Sequence, residues 1–433
     1  MNRHQGTIEV QNTIRSERIV LLTLAAVQFT SIVDFMVIMP LGPQLMRSLQ
    51  IGPAQFGLVV SSYTLAAGIA GLIASSLADR VGRKAAFLGL DAGFLVGTLL
   101  CGLAPTYTTL VWARLATGAF GGILGGIAMA IIGDVFPEER RGRATGALMS
   151  TFALASVVGV PFGLYLGTRF GWHAPFLLLA ALGCPVLAIA AVTLPPLRGH
   201  IDQAANQHPV RQLIETFSQP NHLNAFALII TLMFAGFSVF PYVSPYLVTN
   251  VGMDEHNLPL TFVAGGIVTL FSAPLIGRLA DRYGKLRVFR FVAPASAVMT
   301  LAVTNLAPVS TAVAVAIVAG LMVSNSGRMV AAMAMITGSV APGRRGGFMS
   351  ASSSVQHLAA GFGAYLGGLI IVESADGSLQ NFPTVGLMSA IATILSLWLV
   401  GRIRPATSDT EISTNQALAA AAEALCDATE PMT

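Results

Sequence analysis

Asp34 stands inside an apolar run that reaches from Ile19 to Leu41, shortly before Met39-Pro40. An isolated carboxylate in hydrocarbon costs several kcal/mol, so it must face a cavity, meet a cation or carry a proton. Desolvation and a neighbouring cation push such a group in opposite directions, and that competition suits a carboxylate that loads and releases protons. A second charge, Arg114, lies in another apolar run, Thr108 to Ile132. If the first run leads outward and the fourth leads inward, both residues lie about 10 Å below the same edge at 1.5 Å per residue. Matching depth permits contact. One reading is a proton-coupling pair, in which protonation of Asp34 frees Arg114. The other is a permanent ion pair that fixes helix packing.

Other polar side chains interrupt apolar runs. Gln28, Asn325, Arg328, Gln356 and His357 could touch a substrate or make helix-to-helix hydrogen bonds worth about 0.6 kcal/mol each. Arg328 could also snorkel to the nearby surface. Asp91 falls roughly two turns inside the third run, where contact with headgroup water or a basic loop gives it a structural role.

The runs that position these residues are long enough to cross a bilayer, which takes about 20 apolar residues each. Twelve windows qualify, six on either side of a polar stretch from Pro195 to Asn221. The expected organisation is an unstructured N-terminus over 1–17, a six-helix bundle over 18–194, a linker over 195–221, a second six-helix bundle over 222–403 and a tail over 404–433. The chain has 433 residues, 54% of them hydrophobic and only 10% charged. Its mean hydropathy is +0.72. Soluble chains carry about 25% charged residues, so lipid must solvate most of this one. A net charge of +4 invites a nucleic-acid reading, but the charges sit in short loops and form no patch. Basic residues gather in alternate loops (Arg80, Arg83, Lys84; Arg140, Arg141, Arg143; Arg278, Arg282, Lys285), whereas the intervening loops hold only Arg47 and Arg169. This bias puts both termini on the cytoplasmic side.

The halves repeat one another. Leu77-Ala78-Asp79-Arg80-Val81-Gly82-Arg83-Lys84 is echoed by Leu279-Ala280-Asp281-Arg282-Tyr283-Gly284-Lys285. Pro137 to Gly142 is echoed by Pro342 to Gly346, and Gly163-Leu164-Tyr165-Leu166-Gly167 by Gly363-Ala364-Tyr365-Leu366-Gly367. Landmarks in the same order at near-constant spacing indicate duplication. In a membrane, paired bundles of this kind place a substrate site between the halves. Gly82 and Gly284 are expected to supply backbone angles that a sharp reversal needs. Gly118, Gly122 and Gly126 recur every fourth residue and allow close helix approach. Pro161 removes one helical hydrogen bond and can bend the fifth span.

With these motifs in place the chain resembles the major facilitator superfamily from about Ile19 to Ile403. The loop after the second span is similar to the signature G-x-L-A-D-R-x-G-R-K, with Ser75 in place of the leading Gly and Gly277 keeping it in the second copy. Arg114 and Gly118 match R-x-x-x-G. Gly159-Val160-Pro161-Phe162-Gly163 is similar to the antiporter motif G-x-x-x-G-P-x-x-G-G, with Val160 inserted before the proline. The nearest likeness is to bacterial arabinose-type and drug efflux permeases. The resemblance implies an all-α membrane protein with twelve transmembrane helices in two pseudo-symmetric bundles, embedded in the bacterial inner membrane. It implies proton-driven efflux of a drug, sugar or metabolite by alternating access, with uptake by proton symport or uniport as the alternative. It also implies a conformational latch of Asp79, Arg80, Gly82 and Arg83 with Asp134, repeated by Asp281, Arg282 and Gly284, and a bending motif of Gly159, Pro161 and Gly163. The expected partners are a small-molecule substrate, protons and lipid, with no nucleic acid, no cofactor, no metal and a monomeric state. An enzyme is not expected, since H-E-x-x-H and the G-x-x-x-x-G-K-[ST] loop are missing from the sequence.

Overall fold

The computed structural model describes residues 2–77, 82–196, 209–341 and 345–405, with side chains from residue 17 apart from 75–77 and 209–213. Lipid offers no hydrogen bonds to the backbone, so a spanning segment must satisfy its own and becomes a helix. The helices are α1 Asn2–Val37, α2 Gly42–Leu49, α3 Pro53–Leu77, α4 Arg83–Gly102, α5 Tyr107–Val135, α6 Glu138–Leu154, α7 Val160–Phe170 and α8 Ala174–Thr193. They continue with α9 Pro209–Ser218, α10 Pro220–Thr249, α11 Leu258–Tyr283, α12 Lys285–Thr304, α13 Thr311–Gly338, α14 Arg345–Ile370 and α15 Phe382–Val400. A two-residue hairpin, Val372–Glu373 with Leu379–Gln380, joins the last two.

Eleven stretches among the described residues are long and apolar enough to span a bilayer, α6 and α7 together making one. The remaining window of the expected twelve is α14. It is as long as its neighbours but carries Ser352, Ser353, Ser354, Gln356 and His357 in its middle. It lies between α3 and α10, and packing against those helices buries Ser352 and Ser354 and half-buries Gln356 and His357, while Ser353 stays exposed. Helix α1 runs back to Asn2, where composition suggested an unstructured terminus; the span supplies a nucleus from which the polar residues extend. The linker contributes the helix α9, and residues 197–208 lie outside the described part.

The packing of the halves is uneven along the membrane normal. At the Arg47 end, one continuous core draws Val37, Leu41, Phe56 and Trp172 together with Val243, Leu247, Leu258 and Phe382 of the other half. At the opposite end, where the basic loops gather, the core is split in two. Phe87, Phe94, Leu124 and Leu148 belong to one part, and Phe226, Phe289, Ala331 and Phe348 to the other. The halves are joined chiefly through α3 with α14, and through α11 with α7 and the turn preceding it. Among the described residues the apolar core is therefore shared by both halves at the Arg47 end and belongs to each half separately at the basic end.

Glycines set the tightest approaches. A Cβ at Gly118 would strike the carbonyl of Tyr63, and one at Gly122 would strike Ala67, so α5 lies directly on the backbone of α3. The stripe ends there, because a Cβ at Gly126 would meet nothing within 4 Å. Gly118→Ala should therefore lose about 1–3 kcal/mol and lower the midpoint of thermal unfolding in detergent, whereas Gly126→Ala should leave it unchanged. Equal behaviour of the two variants would refute this packing.

Candidate functional site

Asp34 lies near the outward end of α1, in its last full turn, and Arg114 in the second turn of α5. The contact that matching depth permits is made. Arg114 Nη1 donates to Asp34 Oδ2 at 2.8 Å and approaches the Asp34 carbonyl at 3.4 Å. Both side chains are wholly buried, at 0% exposure each. Thr98 of α4 donates from Oγ1 to the other carboxylate oxygen at 3.2 Å. Arg114 is only partly satisfied, since Nε and Nη2 have no hydrogen-bond partner. Its guanidinium lies 4.5 Å from the centroid of the Tyr63 ring on α3, a cation–π contact.

Tyr63 connects this pair to the other half. Its ring stacks on Phe35, with centroids 5.2 Å apart. Phe35 in turn stacks on Phe237 of α10 at 5.9 Å and meets His357 of α14 edge-on at 6.4 Å. An unbroken layer thus runs from Asp34 and Arg114 through Tyr63 and Phe35 to two helices of the second bundle. Neither Tyr63, Phe35, Phe237 nor Thr98 stands out in the sequence. The one available signal was that Phe35 directly follows Asp34.

The remaining polar candidates divide. His357 reaches the seam between the halves. Gln28 and Gln356 are half-buried, and Gln28 Oε1 lies beside Gly125 without a donor. Arg328 and Asn325 turn into the second bundle. Arg328 donates to Thr393 of α15 at 2.5 Å and to Asn325 at 2.8 Å, and Ser296 of α12 donates to Asn325 at 3.1 Å. These bonds aim Arg328 away from the first half.

At the basic end Arg83 donates to Asp134 Oδ2 at 2.8 Å and to the Ala130 carbonyl at 2.7 Å, pinning the start of α4 to the end of α5. Asp79 and Arg80 lie outside the described residues. The second copy differs. Lys285 reaches the Ala334 carbonyl at 3.3 Å, but Gly338 occupies the place equivalent to Asp134, so no carboxylate completes it. Asp281 and Arg282 are exposed, and Arg282 lies over the ring of Tyr283. The two turn glycines also differ. Gly284 adopts φ 93°, which favours glycine, while Gly82 has φ −55°, open to any residue. The requirement expected of Gly82 is therefore absent, because α4 begins there as an ordinary extended cap.

In the fifth span the irregularity precedes the proline. Residues Ala155–Gly159 form a π-turn, and Val160 N–H donates to the Ala155 carbonyl five residues back. The wider turn brings Gly159 onto Val33 and Gly163 onto Val37 of α1, beside the Asp34 turn. At the closed end an ion pair that loop charges alone could not assign joins the halves. Arg47 of α2 grips Glu255 through both guanidinium nitrogens, Nη2 at 2.9 Å from Oε2. These hydrogen bonds hold the Arg47 guanidinium charged, above its already high range.

Comparison with known proteins agrees with this architecture. The chain is 26% identical over 374 residues to the inner membrane transport protein YdhP of Escherichia coli K12, covering 85% of this chain and 92% of that one. It is 24% identical over 360 residues to the putative transporter AraJ of the same strain, covering 82% and 88%. A crystal structure of a bacterial homologue of the human lysosomal transporter Spinster, in an inward-facing and occupied conformation, superposes with a TM-score of 0.70. It shares 16% identity and covers 88% of this chain and 95% of that one, a likeness of fold. The model of the Major Facilitator Superfamily matches residues 24–324 and again 225–425. This multi-pass membrane protein belongs to the Major Facilitator Superfamily, whose members are secondary transporters and not enzymes.

Proposed function

We propose that the protein is a proton-coupled exporter of a small molecule, working by alternating access in the bacterial inner membrane with both termini cytoplasmic. The observation that carries this reading is the buried Asp34–Arg114 pair and its aromatic connection to the second bundle. Breaking a buried pair by removing one charge costs about 3–5 kcal/mol. Moving a two-state equilibrium from 1:99 to 99:1 takes about 5.5 kcal/mol. Protonating Asp34 therefore supplies energy of the size needed to change which end is open, provided that Arg114 finds new partners only in the other state. Its free Nε and Nη2 are the groups that would take them. Because Arg114 bears on Tyr63 and Tyr63 on Phe35, any movement of the guanidinium disturbs the seam with Phe237 and His357.

The arrangement of the cores supports an inward-facing state, with the cleft parted toward the cytoplasm. Two latches bear on it unequally. Arg83 and Asp134 stiffen the first half at the open end, and Arg47 and Glu255 tie the halves at the closed end. Arg47 is 64% exposed, so its pair is worth about 0.2–1 kcal/mol. The apolar closure around Phe56, Tyr242 and Leu247 dominates, since opening that end to water costs about 25 cal/mol per Å² of apolar surface. For substrate contact the reading favours residues on the seam, Gln28, Gln356 and His357 with Phe35 and Phe237, over Arg328 and Asn325. The names of the relatives are compatible with a sugar or metabolite as cargo and do not choose between them.

A panel of radiolabelled sugars, drugs and metabolites in proteoliposomes tests the reading. A gradient with the lumen acid should drive accumulation of the substrate in inside-out molecules; equilibration that ignores the gradient would establish a uniporter instead. Asp34→Asn should insert normally and lose gradient-driven transport by more than tenfold, and normal transport at every pH would remove Asp34 from coupling. Arg114→Ala should alter the pH profile, and an unchanged profile would assign the pair to packing alone. Glu255→Gln should raise the labelling rate of a cysteine at the closed end by up to about fivefold, while a larger effect would show that the ion pair dominates closure.

A further inference from the structure

A second carboxyl group in the first bundle is buried, and no described residue neutralises it. Asp91 of α4 is 1% exposed, and its Oδ2 has no hydrogen-bond partner. The sequence suggested headgroup water or the basic loop as partners; no described residue of the basic loops pairs with it. Helix α4 packs against α5, α8 and, more lightly, α1. The titratable groups described on those elements are Tyr107, Arg114 and Asp134 on α5, Cys184 on α8, Glu17, Arg18 and Asp34 on α1, and Arg83, Lys84 and Cys101 on α4 itself. Arg83 is engaged by Asp134 and Arg114 by Asp34. None forms an ion pair or hydrogen bond with Asp91.

The neighbours of Asp91 along the buried face of α4 are apolar. Phe87 and Phe94, one turn away on either side, are fully buried, and Leu124 is buried on α5 at the facing level. A carboxylate left ionised there would cost several kcal/mol, whereas the neutral acid costs far less. An independent observation points the same way. Gln28 Oε1, which like Gln44 Oε1 of the same half has no hydrogen-bond partner, lies beside Gly125. Asp34 meets Thr98 across α1 and α4, and the same register puts Gln28 within a residue of the level of Asp91. Two acceptor oxygens without a donor at one depth call for a hydrogen, and a protonated carboxyl provides one. Asp91 also shares the buried face of α4 with Thr98, two turns along, about 10 Å. It therefore stands between the basic end and the Asp34 pair.

We propose that Asp91 is a second proton-binding site of the first bundle, occupied as the neutral acid in this conformation and lying on the cytoplasmic side of Asp34. The site does not depend on Asp34 being the coupling group, and its test needs no knowledge of the transported molecule. Infrared spectra of the full chain in liposomes, taken across pH in light and heavy water, read protonated carboxyl groups directly. The wild type and Asp34→Asn should show a protonated-carboxyl stretch near neutral pH that disappears on alkaline titration. Asp91→Asn should lack it and should release one proton fewer per chain in an alkaline pH jump followed with a soluble dye. A spectrum unchanged by Asp91→Asn overturns the proposal. Should that variant fail to fold, Asp91→Glu and carbodiimide labelling decide. The stretch should shift in Asp91→Glu, and dicyclohexylcarbodiimide should modify the wild-type peptide that contains Asp91, more slowly as pH rises. An unshifted stretch, or no modification of that peptide at any pH, shows Asp91 to be ionised. If Asp34→Asn still couples transport while these signals behave as described, the coupling assignment falls and this site remains.

Discussion

One ion pair sealed inside an apolar bundle organises the functional part of this molecule. Asp34 and Arg114 are charges that lipid would not tolerate singly, and each makes the other affordable. Around them the bundle provides a hydroxyl from Thr98, an aromatic face from Tyr63 and no water-exposed surface. Helices α3 and α5 can bring these groups together because Gly118 and Gly122 let the backbones touch. The same close contact places Tyr63 where it can sense the guanidinium and pass its position to Phe35. Packing glycines, charge pair and aromatic layer are therefore parts of one device.

The uneven joining of the halves gives that device something to act on. A single apolar core closes one end, and separate cores leave the other end free to part. The contacts across the seam are helix against helix, with Tyr242 inserted between Gly57 and Gly368 and donating to the Ala364 carbonyl at 2.5 Å. Interfaces of this kind rock as bodies more readily than they deform, because their packing has few intermediate arrangements. The π-turn at Ala155–Gly159 gives the fifth span a point of adjustment beside α1, next to the Asp34 turn.

Much of this was legible in the sequence, for identifiable reasons. Hydropathy locates spans because lipid penalises every unsatisfied backbone group equally, whatever the side chains. Depth along a helix follows from counting residues, and that is why the sequence alone matches Asp34 with Arg114. Rotation about a helix does not follow from counting when the helix is apolar all round. Arg328 therefore gave no sign that it bonds Asn325 and Thr393, and Asp91 gave none that it is buried without a partner. The pairing of Arg47 with Glu255 depends on how two bundles dock, which no local pattern encodes. Symmetry misled in one respect: the repeated turn suggested two equivalent latches, yet Gly338 stands where the first copy has Asp134. Gly82 and Gly284 likewise differ in backbone angle, φ −55° against 93°, although both are glycine.

The most direct test of the account is a distance measured across the closed end while Asp34 changes its charge. Spin labels at Ser48 and His256, exposed positions on opposite halves, report that distance in liposomes over a range of pH. The account predicts that the distribution moves between short and long populations with pH in the wild type and stays fixed in Asp34→Asn. A distribution that follows pH equally in both proteins would contradict it.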